Sequence, residues 1–131
     1  MSQIIVDTDV ASYIFNWHSL AEQYAKALRG SELILSFMSL AELRMGAMSA
    51  RWGNSRLILF ERFLHGFELF YPDNNLCTIW ARIRADARAI DRAISSQDAW
   101  IAATALVLDA PLATNNRRDF ESVRNLRLLS L

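Results

Sequence analysis

Cysteine, glycine, proline and lysine are all scarce in this sequence of 131 residues. Its one cysteine, Cys77, has no partner for a disulfide within the chain, which is typical of proteins kept in a reducing cytosol. We interpret Cys77 as a small core residue, because free cysteines are usually buried. The four glycines and two prolines fall at breaks between elements, so we predict no linker, no repeat and a single domain over residues 1–131.

Long hydrophobic runs are also missing. No apolar run approaches the 18 residues that suggest a membrane-spanning helix, and the best one, residues 101–108, predicts a buried helix instead. The first residues carry no basic cluster and reach Asp7 quickly, so we predict no secretory signal peptide. The sequence therefore indicates a cytoplasmic protein without a membrane segment.

The charges balance, with 14 basic and 14 acidic side chains, which gives no overall attraction to nucleic acid or to an acidic membrane. Hydrophobic residues make up 53%, enough to exclude intrinsic disorder and to bury a core without disulfides. The basic side is uneven, because Lys26 is the single lysine and every other basic residue is an arginine. Arginine presents a fork of donors that fits phosphate or carboxylate.

Short apolar runs alternate with stretches of helical periodicity along the chain. Runs typical of buried strands cover residues 3–6, 32–36, 69–71, 112–114 and 126–129. Helical spacing covers residues 10–29, as one or two helices, and then 39–50, 57–67, 76–90 and 95–108. This alternation predicts an α/β fold, a three-layer sandwich with a mostly parallel central sheet flanked by helices.

Four acidic residues follow these predicted strands or begin the predicted helices. Asp7 directly follows the first strand, and Asp119 follows the fourth after a short polar loop. Glu42 and Asp98 fall in the first turns of the helices predicted from residues 39 and 95. Because strand carboxyl ends and helix amino ends meet at one edge of a parallel sheet, we expect the four carboxylates to converge there.

Helix capping is the main alternative interpretation of these acids. The pairs Ser39 with Glu42 and Ser95 with Asp98 both have capping-box spacing, in which the acid satisfies free helix N–H groups. Taken alone, either pair favours capping over a functional role. Asp9 is most simply interpreted as the N-cap of the first helix.

The remaining two acids are harder to assign to capping. Asp119 fits a turn or a cap as well as a site, whereas Asp7 ends a fully apolar strand and must find a partner near the core. Clustered carboxylates repel one another, and neither His18 nor His65 lies in these motifs to neutralise them. Hard oxygen ligands of this kind suit Mg²⁺ or Mn²⁺, which can support attack on a phosphodiester.

Four segments that together span most of the chain carry a resemblance to a known family. They read IIVDTDV (4–10), SLAELRMG (39–46), DAWIAATAL (98–106) and LATNNRRDF (112–120). In this order and spacing they resemble the motifs of PIN-domain ribonucleases, specifically VapC-type toxins of bacterial toxin–antitoxin pairs. The resemblance implies a PIN-like sandwich and Mg²⁺-dependent (or Mn²⁺-dependent) hydrolysis of RNA by water.

The resemblance also assigns residues and partners. It implies that Asp7, Glu42 and Asp98 are catalytic metal ligands, that Asp119 is the fourth acid, and that Thr114 and Asn116 support them. The implied substrate is a structured RNA loop, in tRNA or ribosomal RNA. The implied partners are a second copy of the chain, as a homodimer, and a cognate VapB-type antitoxin that inhibits the enzyme.

The sequence departs from the family pattern at three places. Residues 94–97 lack the glycine that often precedes the Asp98 position, and Trp100 replaces a smaller aliphatic residue. Asn116 stands where other PIN nucleases often carry an acid, so the fourth carboxylate rests on Asp119 alone. This weakens the case for a full second metal site.

Aromatic and arginine clusters have two interpretations each. An apolar stripe is better explained as core packing than as an antitoxin or dimer surface; it comprises Trp52, Phe60, Phe63 and Phe67. A helix face with Arg84, Arg88 and Arg92 is better explained as solvated than as a track for RNA phosphates. Arg117 and Arg118 lie beside the predicted site and are candidate substrate contacts. If four acids share a metal, the remaining surface carries an excess of about four positive charges.

Two other function classes are weaker. The segment around Asp7 also resembles the first motif of haloacid-dehalogenase-type phosphohydrolases, in which the first aspartate is the nucleophile. That mechanism needs a lysine late in the chain, and Lys26 is badly placed for it. A catalytically silent PIN-fold binding module is disfavoured by intact acids at all four positions.

Overall fold

The computed structural model describes residues 2–131, in which strands and helices alternate. The strands are β1 (Gln3–Val6), β2 (Glu32–Ser36), β3 (Glu68–Phe70), β4 (Leu112–Ala113) and β5 (Leu128–Leu129). The helices are α1 (Thr8–Phe15), α2 (Ala21–Leu28), α3 (Phe37–Ser49), α4 (Asn54–Leu64), α5 (Asn74–Ala89) and α6 (Ser96–Leu108). A short 3₁₀ turn, Arg117–Phe120, lies between β4 and β5. Within residues 2–131, no helix has the length and apolarity needed to cross a membrane.

The five strands form one sheet in the order β3-β2-β1-β4-β5, with every neighbouring pair parallel. This confirms the predicted α/β class with a parallel sheet. The strand β1 is central, and its residue Ile5 pairs with Ile34 of β2 on one side and Leu112 of β4 on the other. The chain order reverses between β1 and β4, and in parallel sheets the crevice at such a reversal is where ligands bind.

Both faces of the sheet are covered, because side chains alternate along each strand. Ile5 packs on one face with the apolar side chains of α5 and α6. Ile4 and Val6 pack on the other face with those of α1, α2, α3 and α4. The molecule is therefore the three-layer sandwich that the sequence predicted.

Two helices begin earlier than the sequence indicated. The first is N-capped by Asp7, whose Oδ1 accepts from Thr8 N at 2.8 Å, so Asp9 lies inside the first turn and is not the cap. The third begins at Phe37 and is capped by Ser36, so the predicted cap Ser39 lies within the helix. Both helices follow their strands with no intervening loop. As a result Glu42 lies in the second turn of α3 and not in the first.

The cap predicted at Ser95 is confirmed, because its Oγ accepts from Asp98 N at 3.0 Å. The predicted continuation of α5 past residue 89 is wrong. That helix ends at Ala89, and Asp91 adopts a left-handed backbone with φ of 55°. Arg92 therefore lies beyond the helix and does not continue the face of Arg84 and Arg88.

The interpretation of Cys77 as a core residue is wrong, since its side chain is exposed. The helix α5 buries Leu76, Ile83 and Ala87 at helical spacing. Cys77 follows Leu76 directly and is therefore turned about 100° away from that buried face.

Phe60 belongs to the core and does not form a partner surface, because only 2% of it is exposed. Trp52, Phe63 and Phe67 are half-buried around the same core cluster. The exposed apolar side chains of α4 are instead those on its outer turn, namely Leu57, Ile58 and Leu59.

Candidate active site

A cavity of about 380 Å³, called here the acidic pocket, opens at the carboxyl end of β1. All four predicted carboxylates line it, together with a fifth from Asp9. Its lining comprises Asp7, Thr8, Asp9, Ser12, Tyr13, Glu42, Asp98, Asn116 and Asp119. Residues from four separate segments of the chain thus meet at the edge that the parallel sheet predicted.

Asp7 is the most buried acid of the pocket, with 6% of the residue exposed. Its Oδ2 accepts a hydrogen bond from Thr114 Oγ1 at 2.7 Å, across the junction between β1 and β4. Burial, and then the nearby charge of Asp9, raise the pKa of Asp7 to about 7, although the bonds from Thr114 and Thr8 oppose the shift. The side chain is therefore poised between its two protonation states near neutral pH.

Thr114 and Asn116 form the support beneath Asp7. The Oγ1 atom of Thr114, which is fully buried, also accepts from Asn116 N at 3.0 Å. This hydroxyl therefore receives one hydrogen bond from the loop and donates another to Asp7, which fixes the direction of its proton. Asn116 itself lines the pocket.

Asp9 is the pocket residue that the sequence interpretation missed. Its Oδ1 accepts from Val10 N at 2.7 Å and its Oδ2 accepts from Asn115 N at 3.2 Å, so it joins the first turn of α1 to the loop after β4. Burial raises its pKa. The sequence did contain an indication of this role. Asp9 follows Asp7 by only two residues, so it stays at the same edge of the sheet even though it lies inside a helix.

Glu42 enters the pocket from the second turn of α3. Its Oε1 accepts from Thr8 Oγ1 at 2.7 Å, and the Thr8 hydroxyl also lies 2.9 Å from the buried Ser39 Oγ. Ser39 therefore supports Thr8 instead of capping a helix.

Asp98 and Asp119 form the opposite wall of the pocket. Asp98 lies in the first turn of α6, and burial raises its pKa, as do the charges of Asp119, Glu42 and Asp9. Asp119 lies on the exposed 3₁₀ turn after β4. The charges of residues from three other segments thus act on Asp98.

The chemistry of this donor set suits a hard cation. Among the described residues 2–131, no basic side chain lines the acidic pocket, so nothing there offsets five carboxylates. Within the same residues, no three histidine, cysteine, aspartate or glutamate side chains are close enough to hold an ion as they stand. Mg²⁺ commonly binds through one or two carboxylates and keeps several waters, so it does not require a closed cage of side chains.

The two candidate substrate arginines point in different directions. Arg117 donates from Nη1 to Ser130 Oγ at 2.9 Å and is thereby directed toward the end of the chain. Arg118 lines a second cavity that adjoins the acidic pocket. Of the pair, only Arg118 faces the region of the carboxylates.

The sequence matches the family pattern described as PIN domain over residues 4–126. It is 26% identical over 125 residues to "Ribonuclease VapC1" of Haemophilus influenzae (strain R2866), covering 94% of this chain and 93% of that protein. It is 25% identical over 127 residues to "tRNA(fMet)-specific endonuclease VapC" of Shigella flexneri, covering 97% and 96%. The fold is similar to VapBC2 from Rickettsia felis bound to a DNA fragment from their promoter, with a TM-score of 0.87 and 22% identity over 98% of both chains. The predicted resemblance is confirmed.

Proposed function

Because this chain belongs to the PIN-domain family, we propose that it is a metal-dependent endoribonuclease of the VapC type, with the acidic pocket as its active site. The observation that carries the proposal is the convergence of carboxylates from β1–α1, α3, α6 and the 3₁₀ turn on one cavity. Such a cluster is costly for a fold unless a cation offsets it. The names of two relatives, a ribonuclease and an endonuclease, agree with RNA hydrolysis.

In this proposal Asp7, Glu42, Asp98 and Asp119 would hold Mg²⁺ or Mn²⁺ between them, some directly and others through the waters that the ion keeps. When bound there, the ion supplies positive charge that offsets the carboxylates and the scissile phosphate. The chain contributes the orientation of the ligands, since hydroxyl donors aim one oxygen of Asp7 and one of Glu42. Thr114 and Asn116 support Asp7 through their hydrogen bonds.

Water is the nucleophile in this proposal, and one observation argues against the phosphohydrolase alternative, which makes Asp7 the nucleophile. That mechanism needs a lysine near the reacting aspartate. The single lysine, Lys26, lies on α2 and does not line the acidic pocket within the part of the chain that is described.

The substrate class we propose is a structured RNA, with a loop of tRNA or ribosomal RNA as the cleaved element. One relative is named for its specificity toward a tRNA. The acidic pocket is open to solvent along the edge of the sheet, and Arg118 lies beside it to meet the substrate backbone. Arg117 is tied to Ser130, so we do not retain it as a substrate contact.

The partner we propose is a VapB-type antitoxin, since a structural neighbour is a VapBC assembly. An apolar groove of about 760 Å³ between α1, α2 and α4 offers it a surface. Phe63 lines this groove with the exposed Trp17 and Leu59, whereas the other members of the predicted stripe do not. A homodimer is part of the same proposal.

The test is cleavage of labelled tRNA and ribosomal RNA fragments by the purified chain, with and without Mg²⁺ or Mn²⁺. We expect cleavage only with the ion, and none from Asp7→Asn, which keeps the shape of the side chain but weakens it as a ligand. Calorimetric titration with Mn²⁺ checks that this variant has lost metal affinity, and its circular dichroism and cooperative thermal unfolding check that it is folded. Cleavage that persists in excess chelator, or a phosphate trapped on Asp7, would overturn the proposed mechanism.

A further inference from the structure

A second cavity, called here the basic groove, lies directly against the acidic pocket. It has a volume of about 380 Å³ and shares Asp98 and Asp119 with that pocket as a common wall. Its far side carries Arg92, from the segment after α5, and Arg118, from the 3₁₀ turn. The two cavities thus adjoin, with carboxylates lining the acidic pocket and, among the described residues, arginines present only in the basic groove.

The two arginines of the basic groove are available to a ligand. Among the ion pairs formed within residues 2–131, Arg118 enters none. Arg92 makes one contact, 3.4 Å to Glu121, and with both side chains more than half exposed such a pair contributes little. Arg44, by contrast, lies 2.6 Å from Glu61.

The remaining lining of the groove identifies the kind of ligand. It includes the hydroxyl side chains of Ser95 and Ser122, and no aromatic ring lines the groove within the described residues. Nucleobases are usually held by stacking on aromatic side chains, whereas phosphates are held by guanidinium forks and hydroxyl donors. The amino end of α6, capped by Ser95, adds a partial positive charge at the same place.

We propose that the basic groove is a phosphate subsite, in which Arg92 and Arg118 bind the RNA backbone next to the scissile phosphate. This rests on the proposed function, since the neighbouring acidic pocket holds the scissile group. The strand then runs from the carboxylates toward the connection between α5 and α6. Binding through the backbone makes this contribution independent of base sequence.

The test compares two double variants of equal charge change. Arg92→Gln with Arg118→Gln removes the charge of the basic groove. Arg82→Gln with Arg124→Gln removes two charges from a different cavity between α5 and α6, which does not include the carboxylates of the acidic pocket. Binding of a fluorescein-labelled single-stranded RNA decamer, in two unrelated sequences, is followed by anisotropy in chelator over a range of salt. Cleavage of the labelled tRNA and ribosomal RNA fragments by the same variants is then measured in Mg²⁺.

We expect the groove variant to bind both decamers at least tenfold more weakly. The slope of log affinity against log salt should decrease by about 1.4, as expected for the loss of two phosphate contacts to a single strand. Its KM should rise by a similar factor while kcat stays within about twofold, and the control variant should match the wild type. Equal losses in the two variants would overturn the proposal, because they would reflect overall charge. A fall in kcat at unchanged KM would also overturn the proposal, as would weaker binding of only one of the two decamer sequences.

Failure of the proposed function is distinguishable from failure of this subsite. If the wild type cleaves no RNA but the groove variant still loses decamer affinity, the subsite stands and the nuclease activity does not. If cleavage is normal and the groove variant loses only affinity for the antitoxin, the groove is a protein contact and the subsite is wrong.

Discussion

The hydroxyl of Thr8 lies 2.7 Å from Oε1 of Glu42 and so joins the end of β1 to the second turn of α3. The same hydroxyl is 2.9 Å from Oγ of Ser39, which is fully buried. Glu42 is thus oriented by a side chain from α1, the helix that Asp7 caps. Its orientation depends on a residue that has no charge and is not itself a candidate ligand.

The first prediction follows from this contact. Thr8→Val keeps the branched shape of the side chain but removes the donor, so Glu42 loses its orientation. Removing such a supporting partner typically weakens metal affinity or activity by about 10- to 100-fold. Titration with Mn²⁺ and measurement of kcat check this. Thr8→Ser, which keeps the hydroxyl, should restore most of both, and an unchanged Mn²⁺ affinity in Thr8→Val would contradict the assignment.

The second prediction concerns pH and the raised pKa of Asp7. Because the folded pKa is about 7 against an ordinary value of 3.8, the folded protein binds this proton more tightly than the unfolded chain does. The contribution to stability is therefore complete below about pH 4 and is lost as pH rises toward 7. In chelator, Asp7→Asn should raise Tm by about 5 °C or more at pH 8 and by much less at pH 4.

Thermal unfolding over pH 4–8 measures this difference directly. Asp86→Asn is the matched control, because Asp86 is exposed on α5, outside the pocket. Adding Mn²⁺ at pH 8 should reverse the order, since the wild type gains a ligand that the variant does not bind. A gain in Tm that is equal at pH 4 and pH 8 would refute the role of Asp7 charge.

The third prediction compares two buried threonines. Thr114 donates to Asp7 and accepts from Asn116 N, whereas the hydroxyl of Thr104 bonds only to Trp100 O within α6. Thr114→Val leaves a buried carboxylate oxygen without its donor, which costs about 1–3 kcal/mol of unfolding free energy. Thr104→Val should cost less and leave activity unchanged.

Urea unfolding and cleavage assays separate the two variants. The cleavage rate of Thr114→Val should also fall in the folded protein, because the Asp7 carboxylate is no longer oriented by a hydrogen bond. Equal loss of activity in both variants would mean that packing, and not the hydrogen bond to Asp7, explains the effect.

The fourth prediction separates core from surface on α4. Phe60 is 2% exposed, so Phe60→Ala should lower the unfolding free energy by about 3–5 kcal/mol. Leu59 is 56% exposed and lines the apolar groove, so Leu59→Ala should change stability little and weaken antitoxin binding by about tenfold or more. Denaturation and calorimetry with the antitoxin measure the two effects. Unchanged antitoxin affinity in Leu59→Ala would remove this groove from the proposed interface.

The order of the layers was predictable because buried parallel strands are short, apolar and separated by helices. The importance of Asp7 was also predictable, because a charged side chain directly follows an apolar strand and must find a partner near the core. The places where α1 and α3 begin were not predictable. Each helix follows its strand with no loop, so Asp7 and Ser36 act as the caps, and the more obvious polar residues Asp9 and Ser39 fall inside helical turns.

The directions in which side chains point could not be predicted from the sequence either. Arg117 and Arg118 are adjacent on a 3₁₀ turn, which sends one toward Ser130 and the other toward the basic groove. The end of α5 at Ala89 similarly separates Arg92 from the helix that its spacing suggested. Both outcomes depend on local backbone geometry that the spacing of residues does not encode.

The central position of β1 has a consequence for how the acidic pocket forms during folding. The strand pairs with β4, and Asp7 receives its buried hydrogen bond from Thr114, 107 positions later. Contacts between such distant positions require closure of a long loop, which has an entropic cost. A partly folded chain in which β4 has not yet paired with β1 therefore lacks both the donor to Asp7 and the wall that carries Asp119, so a complete acidic pocket marks a completely folded chain.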